Sequence, residues 1–348
     1  MFVERPDSVA RRIAETLGAG FDARGKWIIC GSVGAGKSTE LTRLARLLAD
    51  DFVVIGVDLW QAAGRIDEIS PAEILFCIGA AAVWTARERF AHDVEAARVE
   101  NLRLAFEGLL QEQRKVDVSE VIESVALLSA DLLAPGTGGI AKKGLDVARQ
   151  ALTAGRRLSG RARVGGLTRP VKEGDPALDA LTWAVDEILD DLRQVREPLI
   201  LVDGLDKLTQ IDSIRELFAT SKVLASPRAP LIYTGPVTLM VAAEWSAAGN
   251  HFARERLSNL AVEAPVSRSR KVGAETIAAG RRSMRDVVER RCKTAGIELS
   301  AAFSEDSLEL FIGKSGGLLR QMLKILRGAS KQAGLEGCGR VELDLAVA

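Results

Sequence analysis

Apolar residues along this chain fall either in short continuous runs or at helical spacings, and the alternation between the two lays out the expected elements. Trp27-Ile28-Ile29-Cys30 reads as a buried strand; Leu41, Leu44, Ala45 and Leu48 then follow at i, i+3, i+4 and i+7, the stripe of an amphipathic helix. Phe52 to Leu59 is a second continuous apolar run, the pattern of a parallel strand covered on both faces. Strand, helix and strand in this order imply a right-handed crossover. Ahead of them, Val9, Ile13 and Leu17 mark a short helix over residues 8–17. Ser70-Pro71-Ala72-Glu73 supplies an N-cap, a proline at the first helical position and a capping-box glutamate, so a helix is predicted from there through Trp84.

From Thr85 to Leu133 the pattern stays helical, with Leu102, Leu104, Phe106, Leu109 and Leu110 and then Val118, Val121, Ile122, Val125 and Leu128. That length exceeds a minimal strand-helix alternation, so the stretch reads as an insertion. Asp175-Pro176 opens a helix with a broad apolar face, and Pro198 to Val202 is an apolar strand ending in Asp203. A helix over Ser213–Leu224, a strand over Pro230–Pro236 and a fifth strand at Leu260-Ala261-Val262-Glu263-Ala264 complete the expected core. The remainder is helical in pattern. It includes Phe303-Ser304 as the entry to Leu308, Phe311 and Ile312, and Gly316-Gly317 as the entry to Leu318–Leu326.

Composition narrows the class. With 348 residues, 47% of them apolar, the chain can bury a substantial core in one large domain or two modest ones. Lys plus Arg and Asp plus Glu are each 47, so no global field favours nucleic acid or membrane. Charge is local instead. Pro135–Gly174 holds nine glycines and nine basic residues against two acidic ones, a segment expected to bury little and to stay mobile in part. It reads as a solvated loop or as a contact for phosphate backbone or an acidic partner; no aromatic residue interleaves to stack bases. Arg268 to Arg340 carries fifteen Lys or Arg against eight Asp or Glu.

Cys30, Cys77, Cys292 and Cys338 are scattered without metal spacing, as buried thiols of a reducing cytoplasm would be. The N-terminus lacks a signal-peptide core and no run approaches the roughly 20 apolar residues of a membrane span, so a soluble, cytoplasmic protein with no membrane partner is expected. His92 and His251 are the only histidines, which leaves zinc or triad chemistry little to work with.

The candidate chemistry gathers after the first strand. Gly31-Ser32-Val33-Gly34-Ala35-Gly36-Lys37-Ser38-Thr39 fits G-x-x-x-x-G-K-[ST], a phosphate-binding loop. Glycines allow successive backbone N–H groups to turn inward around phosphate oxygens, which takes positive φ and leaves no room for Cβ atoms. Lys37 is placed to reach the β- and γ-phosphates of ATP, and the Ser38 hydroxyl to bind Mg²⁺. The helix from Thr39 points its positive end at the same anion. Asp203, at the carboxyl end of a later strand, is the second acidic element and completes the magnesium shell. Thr234 sits where a polar residue orients the attacking water, or else caps the turn that follows. Val3 to Pro6 packs against the adenine or forms a surface strap.

Gly-Ser-Val-Gly-Ala-Gly-Lys-Ser-Thr, Leu-Val-Asp-Gly-Leu-Asp, Ile-Tyr-Thr-Gly-Pro and Ser-Gly-Gly-Leu-Leu-Arg, in this order, resemble the AAA+ and STAND-like ATPases, and most nearly the bacterial ATPases related to origin-recognition initiators. The likeness covers about residues 1–60 and 176–335. It implies an α/β P-loop NTPase fold with a five-stranded parallel sheet in the order 5-1-4-3-2, a helical insertion over about 85–175 within a core of residues 1–265, and a helical lid over 266–348. By the same likeness Thr234 corresponds to sensor 1 and Arg320 to sensor 2, while Arg254 or Arg256, just before the last strand, would act on a neighbouring subunit's nucleotide. The chain departs from the larger family at Gly204, where a glutamate commonly activates water; Asp206 is the substitute implied by the D-x-x-D pattern of related signalling ATPases. The chain ends at Ala348, so the winged helix that follows the lid in true initiators is expected to be absent.

The function expected is an ATP-dependent switch, a slow ATPase whose nucleotide state is read by a protein partner or by self-assembly. The alternative is a nucleic-acid-binding adaptor with largely structural ATP, touching phosphates through the basic insertion and lid. A small-molecule kinase is disfavoured by the large lid.

Overall fold

The computed structural model describes residues 3, 5, 7–20, 25–111, 164–220, 222–241, 245–264 and 272–342. The strands are β1 (Lys26–Gly31), β2 (Phe52–Asp58), β3 (Glu197–Asp203), β4 (Leu231–Pro236) and β5 (Ala253–Arg256). They form one parallel sheet in the order β2-β3-β4-β1-β5, which is the expected 5-1-4-3-2 read from the other edge. β2 and β3 pair along their whole length, from Phe52 opposite Glu197 to Asp58 opposite Asp203.

The first four strands are continuous runs of buried side chains because helices cover both faces. Helix α1 (Val9–Gly18) buries Val9, Ile13 and Leu17; α2 (Lys37–Leu47) buries Leu41, Leu44 and Ala45. α3 (Pro71–Phe90) starts at the Ser70 capping box and runs past Trp84, ending where Ala91 takes the left-handed conformation at φ 49°. α4 (Ala96–Glu107) and α5 (Pro176–Leu192) lie in the same core, where Phe76 stacks on Phe106 with ring centroids 3.9 Å apart.

Three expectations need correction. Leu260–Ala264 is not a strand: Leu260 and Val262 are buried in a second hydrophobic core formed with the C-terminal helices, and the Leu260 N–H donates to the Gly317 carbonyl. The fifth strand is Ala253–Arg256, a short polar run that no apolar pattern announces because it is an edge strand with three of its four residues exposed. The helix expected over Ser213–Leu224 is broken into an α-turn at Ile211–Arg215, a π-turn at Glu216–Thr220 and a 3₁₀ turn at Val223–Ala225. Within the glycine-rich stretch, Val164 and Leu167 are buried rather than solvated. The buried Glu73 carboxylate accepts from the Leu167 and Thr168 N–H groups, so the glutamate that completes the capping box also pins this segment. The helical pattern at 112–133 and the basic residues up to 163 lie outside the described residues.

The chain divides into two compact units. One contains Val9–Cys30 and Glu40–Arg256, hence the sheet and its covering helices. The other contains Met1–Ser8, the loop Gly31–Thr39 and Leu257–Ala348. Its core is built by α6 (Ala274–Thr294), α7 (Glu305–Lys314) and α8 (Leu319–Leu335) around Met284, Leu308, Phe311, Ile312 and Met322. Among the described residues no helix is long and apolar enough to cross a membrane.

Candidate functional site

The chain leaves β1 at Gly31 and enters α2 at Lys37, so the loop spans the strand-to-helix junction that its sequence calls for. Gly34 and Gly36 have φ of +92° and +106°, values that L side chains rarely adopt. Lys37 is 3% exposed, and its Nζ donates to the Gly31 carbonyl at 2.6 Å and the Ser32 carbonyl at 2.9 Å. Ala35 is buried; its carbonyl accepts from Arg5 Nη1 at 2.8 Å, while Arg5 Nη2 donates to the Ser258 carbonyl. Ser38, Thr39 and Val33 are exposed and Ser32 is half-buried.

Arg320 is the second residue of α8, and its backbone N–H reaches the Gly34 carbonyl at 3.4 Å. A Cβ on Gly34 would stand 2.5 Å from the Arg320 Cβ, so this glycine permits the close approach. The entry to α8 is made by Gly316 and Gly317, both at positive φ, and a Cβ on Gly317 would collide with the Leu260 carbonyl. The loop residues and Arg320 are therefore brought together within one unit. Arg5 had no motif to announce it; its only signal was a charged residue inside the strap Val3–Pro6.

The sheet unit carries the other candidates. Asp203 is 5% exposed at the end of β3, and its Oδ1 accepts from the Thr234 hydroxyl at 3.0 Å and from the Gly204 N–H at 2.8 Å. Thr234 is fully buried, and its Oγ1 also accepts from the Gly204 N–H at 3.0 Å. It bonds across to the neighbouring β3 end rather than forward into its own turn. Asp206 is buried on the 3₁₀ turn Leu205–Lys207. Arg254 and Arg256 lie on β5 itself, not ahead of it. Arg254 stacks over Trp245 at 5.0 Å and donates to the Met240 carbonyl at 3.3 Å, whereas Arg256 is exposed.

Gly204 has a steric reason. Its φ is +107°, and a Cβ there would stand 2.7 Å from the Trp60 nitrogen. The backbone after β2 crosses over this position, so a glutamate following Asp203 does not fit. Asp58, the register partner of Asp203, was passed over in the sequence although it shows the same signal, an aspartate ending an apolar strand. It caps the turn Leu59–Ala62, accepting from the Gln61 N–H at 3.2 Å and from Gln61 Nε2 at 2.8 Å. Burial pushes the Asp58 carboxyl above its usual range and the Asp203 charge adds to this, while the Gln61 hydrogen bonds and Lys207 pull the other way. Lys207 sits 4.3 Å over the exposed Trp60 ring.

The donors suit a hard cation and a polyphosphate. Among the described residues no group of three or more His, Cys, Asp or Glu forms a metal cage. Mg²⁺ on a nucleotide asks for less, one or two protein oxygens beside the phosphates; each unit carries an oxygen donor of the required kind, Ser38 in one and Asp203 in the other. Positive φ at Gly34 and Gly36 provides the side-chain-free backbone such an anion needs. A scan against protein-family models finds no match for the chain, and a search of curated proteins finds none either.

Proposed function

We propose that the chain binds Mg²⁺-ATP and hydrolyses it slowly, as an AAA+-type switch whose nucleotide state is read by a protein partner or by further copies of itself. The observation that carries this reading is the Gly31–Thr39 loop. The carbonyls of Gly31, Ser32, Gly34 and Ala35 each accept from a protein donor, namely Lys37, Arg320 or Arg5. Peptide units whose oxygens are engaged in this way turn N–H groups to the opposite side, the concave side of an anion nest.

In this reading Lys37 exchanges its two carbonyl partners for β- and γ-phosphate oxygens, a charge-assisted bond stronger than the neutral ones it gives up. Ser38 of the loop would hold Mg²⁺, and the sequence pattern assigns Asp203 to the same ion, which would neutralise charge on the phosphates when bound. Thr234, through its bond to Asp203, fixes the carboxylate and the strand end for the attacking water. Arg320, beside Gly34, reports the γ-phosphate to the lid helices. Turnover is slow because Gly204 cannot supply the usual base.

Among the described residues no observation favours the nucleic-acid reading, whose basic insertion lies mostly outside them. In the lid, Arg281 pairs with Glu309, and Arg285 pairs with Glu305 and Glu309, which reduces the positive field that α6 would otherwise present. Titrating a fluorescent ATP analogue with and without Mg²⁺ tests the proposal. Saturable, magnesium-dependent binding is expected, and its absence would overturn the assignment.

A further inference from the structure

A grip on polyphosphate needs loop N–H groups aimed at the anion, and the glycines that make the loop possible leave that aim loose. We propose that Arg5, in the strap ahead of α1, sets it: by holding the Ala35 carbonyl it keeps the Ala35–Gly36 peptide turned so that the Gly36 N–H faces the bound phosphate. The inference deepens the function proposed above and rests on it.

A peptide unit is planar and trans, so its C=O and N–H point in opposite directions and fixing one aims the other. Turning the Ala35–Gly36 unit over alters only ψ of Ala35 and φ of Gly36, and glycine accepts either sign of φ at little cost. The Gly36 φ of +106° is therefore one of two settings open to the bare backbone. The Ala35 N–H donates to the Ser32 carbonyl at 3.0 Å, which restrains the preceding peptide but not this one.

Arg5 supplies the missing restraint. Its Nη1 donates to the Ala35 carbonyl at 2.8 Å, and the place that a Cβ on Gly36 would take lies 4.0 Å from the same nitrogen, so the guanidinium stands directly behind this peptide. Its Nη2 donates to the Ser258 carbonyl, which ties the loop to the chain that follows Leu257. Arg5, Ala35 and Ser258 belong to one compact unit. The Arg5 side chain is 6% exposed. A buried guanidinium is costly unless its donors are matched, and a charge-assisted bond holds its acceptor more firmly than a neutral donor does. Lysine lacks the planar fork that spans both carbonyls. Arg5 acts through the peptide and is a positioning residue, touching neither base nor phosphate.

Two other roles compete: the strap could hold the base, or Arg5 could merely hold the unit together. Inorganic tripolyphosphate separates the first, since it carries no base, and amide exchange separates the second. The full chain, Arg5→Ala and Arg5→Lys would be titrated with Mg²⁺-ATP and with Mg²⁺-tripolyphosphate, with and without ethylguanidinium, and exchange followed at Gly31–Thr39 and at α7. We expect Arg5→Ala to weaken both ligands by the same factor, about tenfold, the scale of one hydrogen bond to a charged group. Arg5→Lys should weaken both by less, and ethylguanidinium should restore both in Arg5→Ala. Without ligand, exchange in Arg5→Ala should quicken over the loop and keep the parent rate over α7. Unchanged tripolyphosphate binding by Arg5→Ala overturns the inference, as does exchange that quickens equally at α7. A parent that binds ATP but no tripolyphosphate also overturns it, because the loop N–H groups then carry little of the grip. If Arg5→Ala does not fold, Arg5→Lys decides: loss of both ligands by one factor supports the inference, and any other pattern overturns it. A parent that binds neither ligand overturns instead the proposed function, which the parent titrations read separately.

Discussion

Among its described residues, the unit holding the loop brings backbone against backbone at Gly317 under the Leu260 carbonyl, Gly280 against Ala261 and Gly31 beneath Leu257, and seats the Arg320 side chain on Gly34. The sheet unit is sealed by branched and aromatic side chains, such as Ile55, Ile200, Phe76 and Phe106. The candidate polar residues differ as well, although side-chain pairs such as Arg281–Glu309 also occur in the first of these units. In the loop unit Lys37 and Arg5 end on backbone carbonyls, whereas at the sheet edge Asp203, Thr234, Asp58 and Gln61 bond side chain to side chain. A backbone cradle is suited to hold an anion of fixed shape, and interlocked side chains are suited to aim a reacting group. An added methyl group is therefore expected to disturb the loop unit at Gly317, Gly280 or Gly31, as it would the sheet unit at Gly204, while removed side-chain atoms should weigh most in the sheet core.

The sharpest way to break the comparison is to exchange those sensitivities. Phe76→Ala removes a fully buried ring stacked on Phe106 and should cost the sheet unit about 4 kcal/mol in chemical denaturation. Gly317→Ala adds a Cβ at φ +74° against a carbonyl and should cost the lid about 3 kcal/mol, with proteolysis of the lid as an independent readout. If Gly317→Ala is neutral, the claim that glycines set the loop unit fails.

A smaller effect sharpens the picture at the turn after β3. Asp67 accepts from the Thr209 N–H, the Thr209 hydroxyl and the Gln210 N–H. Burial alone would raise its pKa, but these bonds outweigh it and the carboxyl lies below its usual range. Its folded form thus favours the ionised state, so the contribution is present at neutral pH and lost as pH falls through that lowered range. Asp67→Ala should cost about 1 kcal/mol at pH 7, with the gap to the parent narrowing in acid. Smallest of all is the expected effect of replacing residues 112–163 by a short Gly-Ser link. The Gln111 N–H donates to the Leu167 carbonyl, and Leu110 bridges Thr168, so the flanks already meet. Stability should change by less than about 1 kcal/mol, the scale of altered loop closure. A large loss would mean that the segment supports the core.

The legible parts of the fold were those where burial is two-sided. β1 to β4 stand out as apolar runs, and Ser70-Pro71-Ala72-Glu73 announces its helix because the cap is local chemistry. β5 was illegible because Ala253-Arg254-Glu255-Arg256 is stabilised by its partner strand rather than by burial of its own side chains. Leu260–Ala264 misled for the converse reason: an apolar run reports burial, not which core receives it. Among the candidate residues, the Gly31–Thr39 loop and Asp203 stand out in the sequence by their spacing and strand-end position. Arg5 and Asp58 do not, since the Ala35 and Ser258 carbonyls that Arg5 meets and the turn that Asp58 caps are assembled only in the folded chain.

The central claim is that the Gly31–Thr39 loop grips a magnesium-bound triphosphate. Isothermal titration of Mg²⁺-ATP into the full chain and into Lys37→Ala tests it most directly. Saturable binding by the parent and loss of heat in the variant, with the variant still folded by circular dichroism, is the predicted result. A parent that takes up no Mg²⁺-ATP, or a Lys37→Ala chain that binds it as tightly as the parent, would contradict the account.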